Sequence, residues 1–111
     1  MPKLVMLKTY RDFKRVYDRK LSFSNKYFVI YVKANSYDRP RFGYSISKKV
    51  GKAVVRNYLR RILKEICRTN QVGFISGYDY VIIVRPYART IDFAKAVEQL
   101  GKLNSQIKKK I

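Results

Sequence analysis

The segment Ser47–Arg68 reads SKKVGKAVVRNYLRRILKEICR, and the spacing of its apolar residues decides the fold. At 100° per residue, counted from Arg56, the residues Val55, Leu59, Ile62, Leu63 and Ile66 gather in an arc of roughly 100°, the width a helix needs to pack on a sheet. Arg56, Asn57, Arg60, Arg61, Lys64 and Arg68 fall in a second arc of about 140°. Glu65 is the one acid between Arg56 and Arg68, too little for pairing along the helix to neutralise five cations. Upstream, Lys48, Lys49 and Lys52 surround Gly51, where bare backbone lets N–H groups approach a phosphate. The segment is therefore a helix anchored on one side and cationic on the other. A merely solvated basic helix is the competing explanation, because blocks of Lys and Arg are weakly specific. Asn57 suits either view, as a contact to a base edge or ribose or as an exposed helix residue.

Elements with their own apolar faces flank this helix. From Thr9, the residues Tyr10, Phe13, Val16 and Tyr17 recur at helical spacing, and Thr9 with Asp12 has the form of a capping box. KLSFS reads as a short strand. In KYFVIYVKA, Tyr27, Val29, Tyr31 and Lys33 alternate with Phe28, Ile30 and Val32, and the second set is the core face. After the turn NSYDRP, RFGYSIS alternates Phe42, Tyr44 and Ile46 with Gly43, Ser45 and Ser47, and the two strands are expected to pair antiparallel. YDYVIIVRP is a buried strand ended by Pro86. Thr90 is placed to cap a last helix, with Asp92 in its first turn and Phe93, Val97, Leu100 and Ile107 along one stripe. The sum is one α+β domain over residues 1–111 in the order αβββαβα, a four-stranded sheet packed with helices.

Charge restricts function more sharply than fold. The 111 residues carry 26 Lys and Arg against 7 Asp and Glu, a formal charge of +19 that no fold requires and that a polyanion would relieve. Nucleic acid is the first candidate and an anionic membrane surface the second. The membrane is disfavoured because the basic helix has its apolar face matched to core strands, which a surface peptide lacks. The chain has no His, and Asp12, Asp18, Asp38, Glu65, Asp79, Asp92 and Glu98 are scattered, so no catalytic group and no metal site is expected in the protein itself. Cys67 stands alone, which excludes an internal disulfide and points to a reducing compartment, the cytoplasm. The N-terminal stretch lacks a long apolar run followed by small residues, and nothing approaches the ~20 apolar residues of a spanning helix.

SKKVGKAVVRNYLRRILKE resembles the signature of the protein subunits of bacterial ribonuclease P, a Lys-Lys-hydrophobic-Gly segment entering a helix with an Arg-Asn-Arg-x-x-Arg core. DFKRVY, KYFVIYV, FGYSIS and YDYVIIVR come in the family's order, so the likeness covers nearly the whole chain. Tyr58 departs from the pattern where the family has arginine; a phosphate contact there passes to Arg60 and Arg61 or gives way to stacking on Tyr58. The resemblance implies an accessory subunit whose RNA partner is the catalyst, using Mg²⁺ to cut precursor tRNA at the 5′ end of the mature sequence. It implies no cofactor on the protein alone, a monomer with one copy per catalytic RNA, and a left-handed crossover through the signature helix. It also implies that a cleft between the first helix and the sheet takes the single-stranded 5′ leader, while Lys48, Lys49, Lys52, Arg56, Asn57, Arg60, Arg61, Lys64 and Arg68 meet the catalytic RNA. Phe13, Tyr17, Tyr27 and Tyr31 suit the leader as a stacking platform of little sequence preference. The plain alternative for Phe13 and Tyr17 is that they clamp the helix as core residues. A ribosomal-type structural RNA-binding protein is the alternative for the whole chain.

Overall fold

The run Tyr78–Val84 is apolar on both faces, and a strand of that kind is stable only with both faces covered. In the computed structural model, which describes residues 4–111, it lies at the centre of the sheet. Met1, Pro2 and Lys3, the start of the N-terminal stretch, lie outside the described residues. The elements are β1 (Val5–Met6), α1 (Tyr10–Asp18), β2 (Ser22–Ser24), β3 (Phe28–Ala34), β4 (Arg41–Ser45), α2 (Ala53–Thr69), β5 (Tyr78–Val84), a 3-10 turn (Pro86–Ala88) and α3 (Phe93–Lys110). The sheet has five strands in the order β1-β4-β5-β3-β2.

This corrects the expected topology in two places. β3 and β4 are not partners: β5 inserts between them, antiparallel to β3 with Ile30 opposite Ile82, and parallel to β4 with Tyr44 opposite Ile82. The doubly apolar β5 takes the protected position, and the Asn35–Pro40 connection is long enough to step over it. The fifth strand, β1, pairs parallel with β4 through Val5 and Met6 and is too short to leave an alternation in the sequence.

Phe28, Ile30, Val32, Phe42, Tyr80, Ile82 and Val84 project into one core, closed by Leu59, Leu63 and Ile66 of α2 and by Ala96, Leu100, Leu103 and Ile107 of α3. The opposite face carries α1 over a smaller cluster of Leu7, Val16 and Val81. Thr9 and Asp12 form the expected capping box, with Asp12 N donating to Thr9 Oγ1 at 3.1 Å. Two local expectations change. Asp92, not Thr90, caps α3, its Oδ1 accepting from Lys95 N at 2.8 Å. Tyr10 leaves the apolar stripe of α1 and is 81% exposed.

Candidate nucleic-acid interface

α2 turns its apolar arc into the larger core and leaves Asn57, Arg60, Arg61, Lys64 and Arg68 exposed, continuous with exposed Lys48, Lys49 and Lys52 of the preceding loop. Fully buried Val50, whose N–H closes a turn on Ser47 O, pins that loop. Arg56 departs from the expected arc. It is half-buried, its Nε shut off from solvent without a hydrogen-bond partner among the described residues, because it sits at the arc's edge between Leu63 at about 340° and Cys67 at about 20°. Cys67 is the member of the buried face that the apolar pattern omitted.

The exposed cations are not equally free. Arg68 donates from Nε and Nη2 to Glu65, at 3.1 Å from Nε, and this hydrogen-bonded pair holds the Glu65 carboxyl below its ordinary range. Arg60 Nη1 donates to Asn57 Oδ1 at 2.9 Å, which orients both side chains outward. Lys52 is the N-cap without a side-chain hydrogen bond, and the first turn holds no acid. Cations therefore stand at the positive end of the helix dipole, a placement that costs a few tenths of a kcal/mol or more apiece, about 0.3–1 kcal/mol at low salt. Tyr58 points to the flank of the face, where its hydroxyl donates to Ile91 O at 3.3 Å and ties α2 to the chain entering α3.

On the other side of the sheet, α1 brings Phe13 and Tyr17 to Tyr31. The Phe13 ring lies directly on Gly43: a Cβ there would stand 2.6 Å from two ring carbons, so only a bare Cα admits it. Tyr17 and Tyr31 meet edge to face, centroids 5.0 Å apart at 85°. Burial pushes the Tyr17 phenol above its ordinary range, against a hydrogen bond with Ser45 that pulls it down. All three rings are part buried and part exposed, so they hold α1 in place and still present surface to solvent. Tyr27 is not among them. The chain bends at Lys26 and Tyr27 before β3 begins, and the Tyr27 ring packs with Tyr87 and the core under α2 and α3.

Beside α1 lies a polar hollow that sequence reasoning missed. Asp79, buried on β5, lies in register with Lys33 on β3 and Arg41 on β4. Arg41 donates to it from Nε at 2.8 Å and Nη2 at 2.7 Å, and Asn35 Nδ2 donates at 2.7 Å. These hydrogen bonds push the Arg41 guanidinium above its already high range, and it lies 4.3 Å from the centroid of Tyr37. With Arg15 and Lys33 they border a hollow of about 400 Å³. The signal available was an acid inside an otherwise apolar strand. Among the described residues no group of acids, Cys and His is placed to hold a metal, and no helix is long and apolar enough to cross a membrane.

A basic helix and a part-exposed aromatic cluster on opposite faces of one sheet are the arrangement of an RNA-binding protein. The ribonuclease P family matches residues 1–108, and the chain belongs to that family. The ribonuclease P protein component of Desulforamulus reducens is 47% identical, over 97% of this chain and 99% of that one. That of Carboxydothermus hydrogenoformans is 40% identical, over 100% and 97%. Among solved structures, the Staphylococcus aureus RNase P protein superposes with a TM-score of 0.85 at 31% identity, over 96% of this chain and 97% of that one. The Thermotoga maritima protein does so at 0.82 and 33%, over 91% and 96%. The family's proteins are subunits of an endoribonuclease of tRNA 5′ maturation in which RNA is the catalyst, and this chain has that role.

Proposed function

We propose that the two faces divide the work of the holoenzyme. α2 and the Lys48–Lys52 loop take phosphates of the catalytic RNA, and the cleft of Phe13, Tyr17 and Tyr31 takes the 5′ leader of precursor tRNA. The observation that carries this assignment is the positive charge, in no ion pair among the described residues, at the N-terminal end of α2, where Lys52 makes no side-chain cap; there it disfavours the helix and favours an anion. Arg56 contributes from the edge, and Arg68 through a guanidinium shared with Glu65. Tyr27 falls outside the leader site in this assignment. One protein joins one catalytic RNA, as a monomer. Mg²⁺ belongs to the RNA-containing holoenzyme, which works in the cytoplasm, where a lone Cys67 stays reduced.

Leader length tests the division. Tyr31→Ala is expected to weaken binding of precursors with leaders of several nucleotides by ~1–3 kcal/mol, and to change neither mature tRNA binding nor assembly with the catalytic RNA. Equal losses for long-leader precursor and mature tRNA, with the fold intact by circular dichroism, would make Tyr31 a structural residue only.

A further inference from the structure

Where β5 ends and α3 begins there is an open cleft of about 730 Å³, inside the range that holds small organic ligands. Its aromatic wall is the displaced Tyr27 with Tyr87, edge to face with centroids 5.1 Å apart at 69°. Tyr87 stands on the 3-10 turn behind Pro86 and is 60% exposed, and Lys26 Nζ caps the pair at 4.8 Å from the Tyr87 centroid. Arg89 reaches the same cleft, and its side chain makes no hydrogen bond or ion pair among the described residues. Of the nearby acids, Asp92 is occupied by the Lys95 N–H and Glu98 by Lys95 Nζ at 3.3 Å. An exposed ring beside a free guanidinium is the pairing that takes a base by stacking and its phosphate by charge.

Position identifies which RNA. Ile91 lines the cleft and accepts the Tyr58 hydroxyl from α2. Tyr58 lies at about 200° on α2, next to Arg61 at about 140°, so the cleft adjoins the basic face on its Arg61 flank. The Phe13–Tyr31 cleft is on the opposite face of the sheet. We propose that the Tyr27–Tyr87–Arg89 cleft holds one unpaired nucleotide of the catalytic RNA lying along α2, its base on Tyr87 and its phosphate at Arg89. This rests on the assignment of α2 to the catalytic RNA.

The test measures affinity of the full chain for a bacterial ribonuclease P RNA, as a function of salt, for wild type, Tyr87→Ala, Tyr87→Phe and Arg89→Gln. Tyr87→Ala is expected to weaken assembly roughly 5- to 150-fold, the range for one base stacked on an aromatic, and Tyr87→Phe to stay within about twofold. Arg89→Gln is expected to lower the salt slope by about one. Dependence on leader length stays as in wild type for all three. Wild-type affinity in Tyr87→Ala would overturn the proposal while leaving α2 as the RNA face, and so would a loss that grows with leader length. Failure of the wild-type chain to bind the RNA at all would instead remove the α2 assignment, and the nucleotide site with it. Both substituted side chains are exposed, and circular dichroism checks each fold.

Discussion

Replacing Arg60 and Arg61 together by alanine reduces the number of cations that α2 and its loop offer to RNA, and the structure sets how many count. Lys48, Lys49, Lys52, Arg60, Arg61 and Lys64 are exposed and form no ion pair with an acid among the described residues, whereas Arg56 is half-buried and Arg68 is shared with Glu65. Six phosphate contacts at about 0.9 each give a slope near −5.4 in log affinity against log salt. Affinity then falls about 2,000-fold between 50 and 200 mM salt; four contacts give about −3.6 and a fall of about 150-fold. The assay is filter binding of the labelled catalytic RNA at several salt concentrations, with circular dichroism on each variant. Glu65→Gln carries the opposite sign, since it releases Arg68 and is expected to steepen the slope. An unchanged slope in the double alanine variant would refute the phosphate assignment of this face.

Two further predictions concern the scaffold. Asp79→Ala leaves the Arg41 guanidinium, 16% exposed, without its carboxylate, and is expected to cost about 3–5 kcal/mol in urea unfolding; a loss below about 1 kcal/mol would mean that water solvates Arg41 freely. Burial pushes the Cys67 thiol up to about 12 from an ordinary 9.0, so the folded state keeps a proton that the unfolded state gives up, and its contribution to stability is lost as pH rises from about 9 towards 12. Measured as urea midpoints, the stability of wild type relative to Cys67→Ala should fall between pH 8 and pH 10.

What the sequence discloses follows from how regular each element is. α2 is long enough for a 100° period to separate two faces, so its packing and its charge were both legible, and error arose only at the boundary, where Arg56 and Cys67 lie. Alternation in β3 identified Phe28, Ile30 and Val32 as core because seven residues repeat one backbone geometry. Alternation says nothing about which strand is a neighbour, and so the insertion of β5 between β3 and β4 was hidden. Tyr27 lies off the face of Tyr31 for a local reason: parity counts only inside a strand, and the bend before Phe28 resets it. The Arg41–Asp79 contact joins residues 38 apart and depends on that same strand order.

Because α1 and α2 cover opposite sides of β5, the two proposed RNA surfaces are separated by a sheet and at least part of a helix layer, each about 10 Å thick. Physiological salt screens charge over about 8 Å. At that separation solvent ions screen most of the repulsion that acts around the protein between two polyanions seated on these surfaces, while each still meets local positive charge. On the proposed division the domain is a spacer: it holds two strands of the same sign in one particle, and its cations offset the repulsion between them.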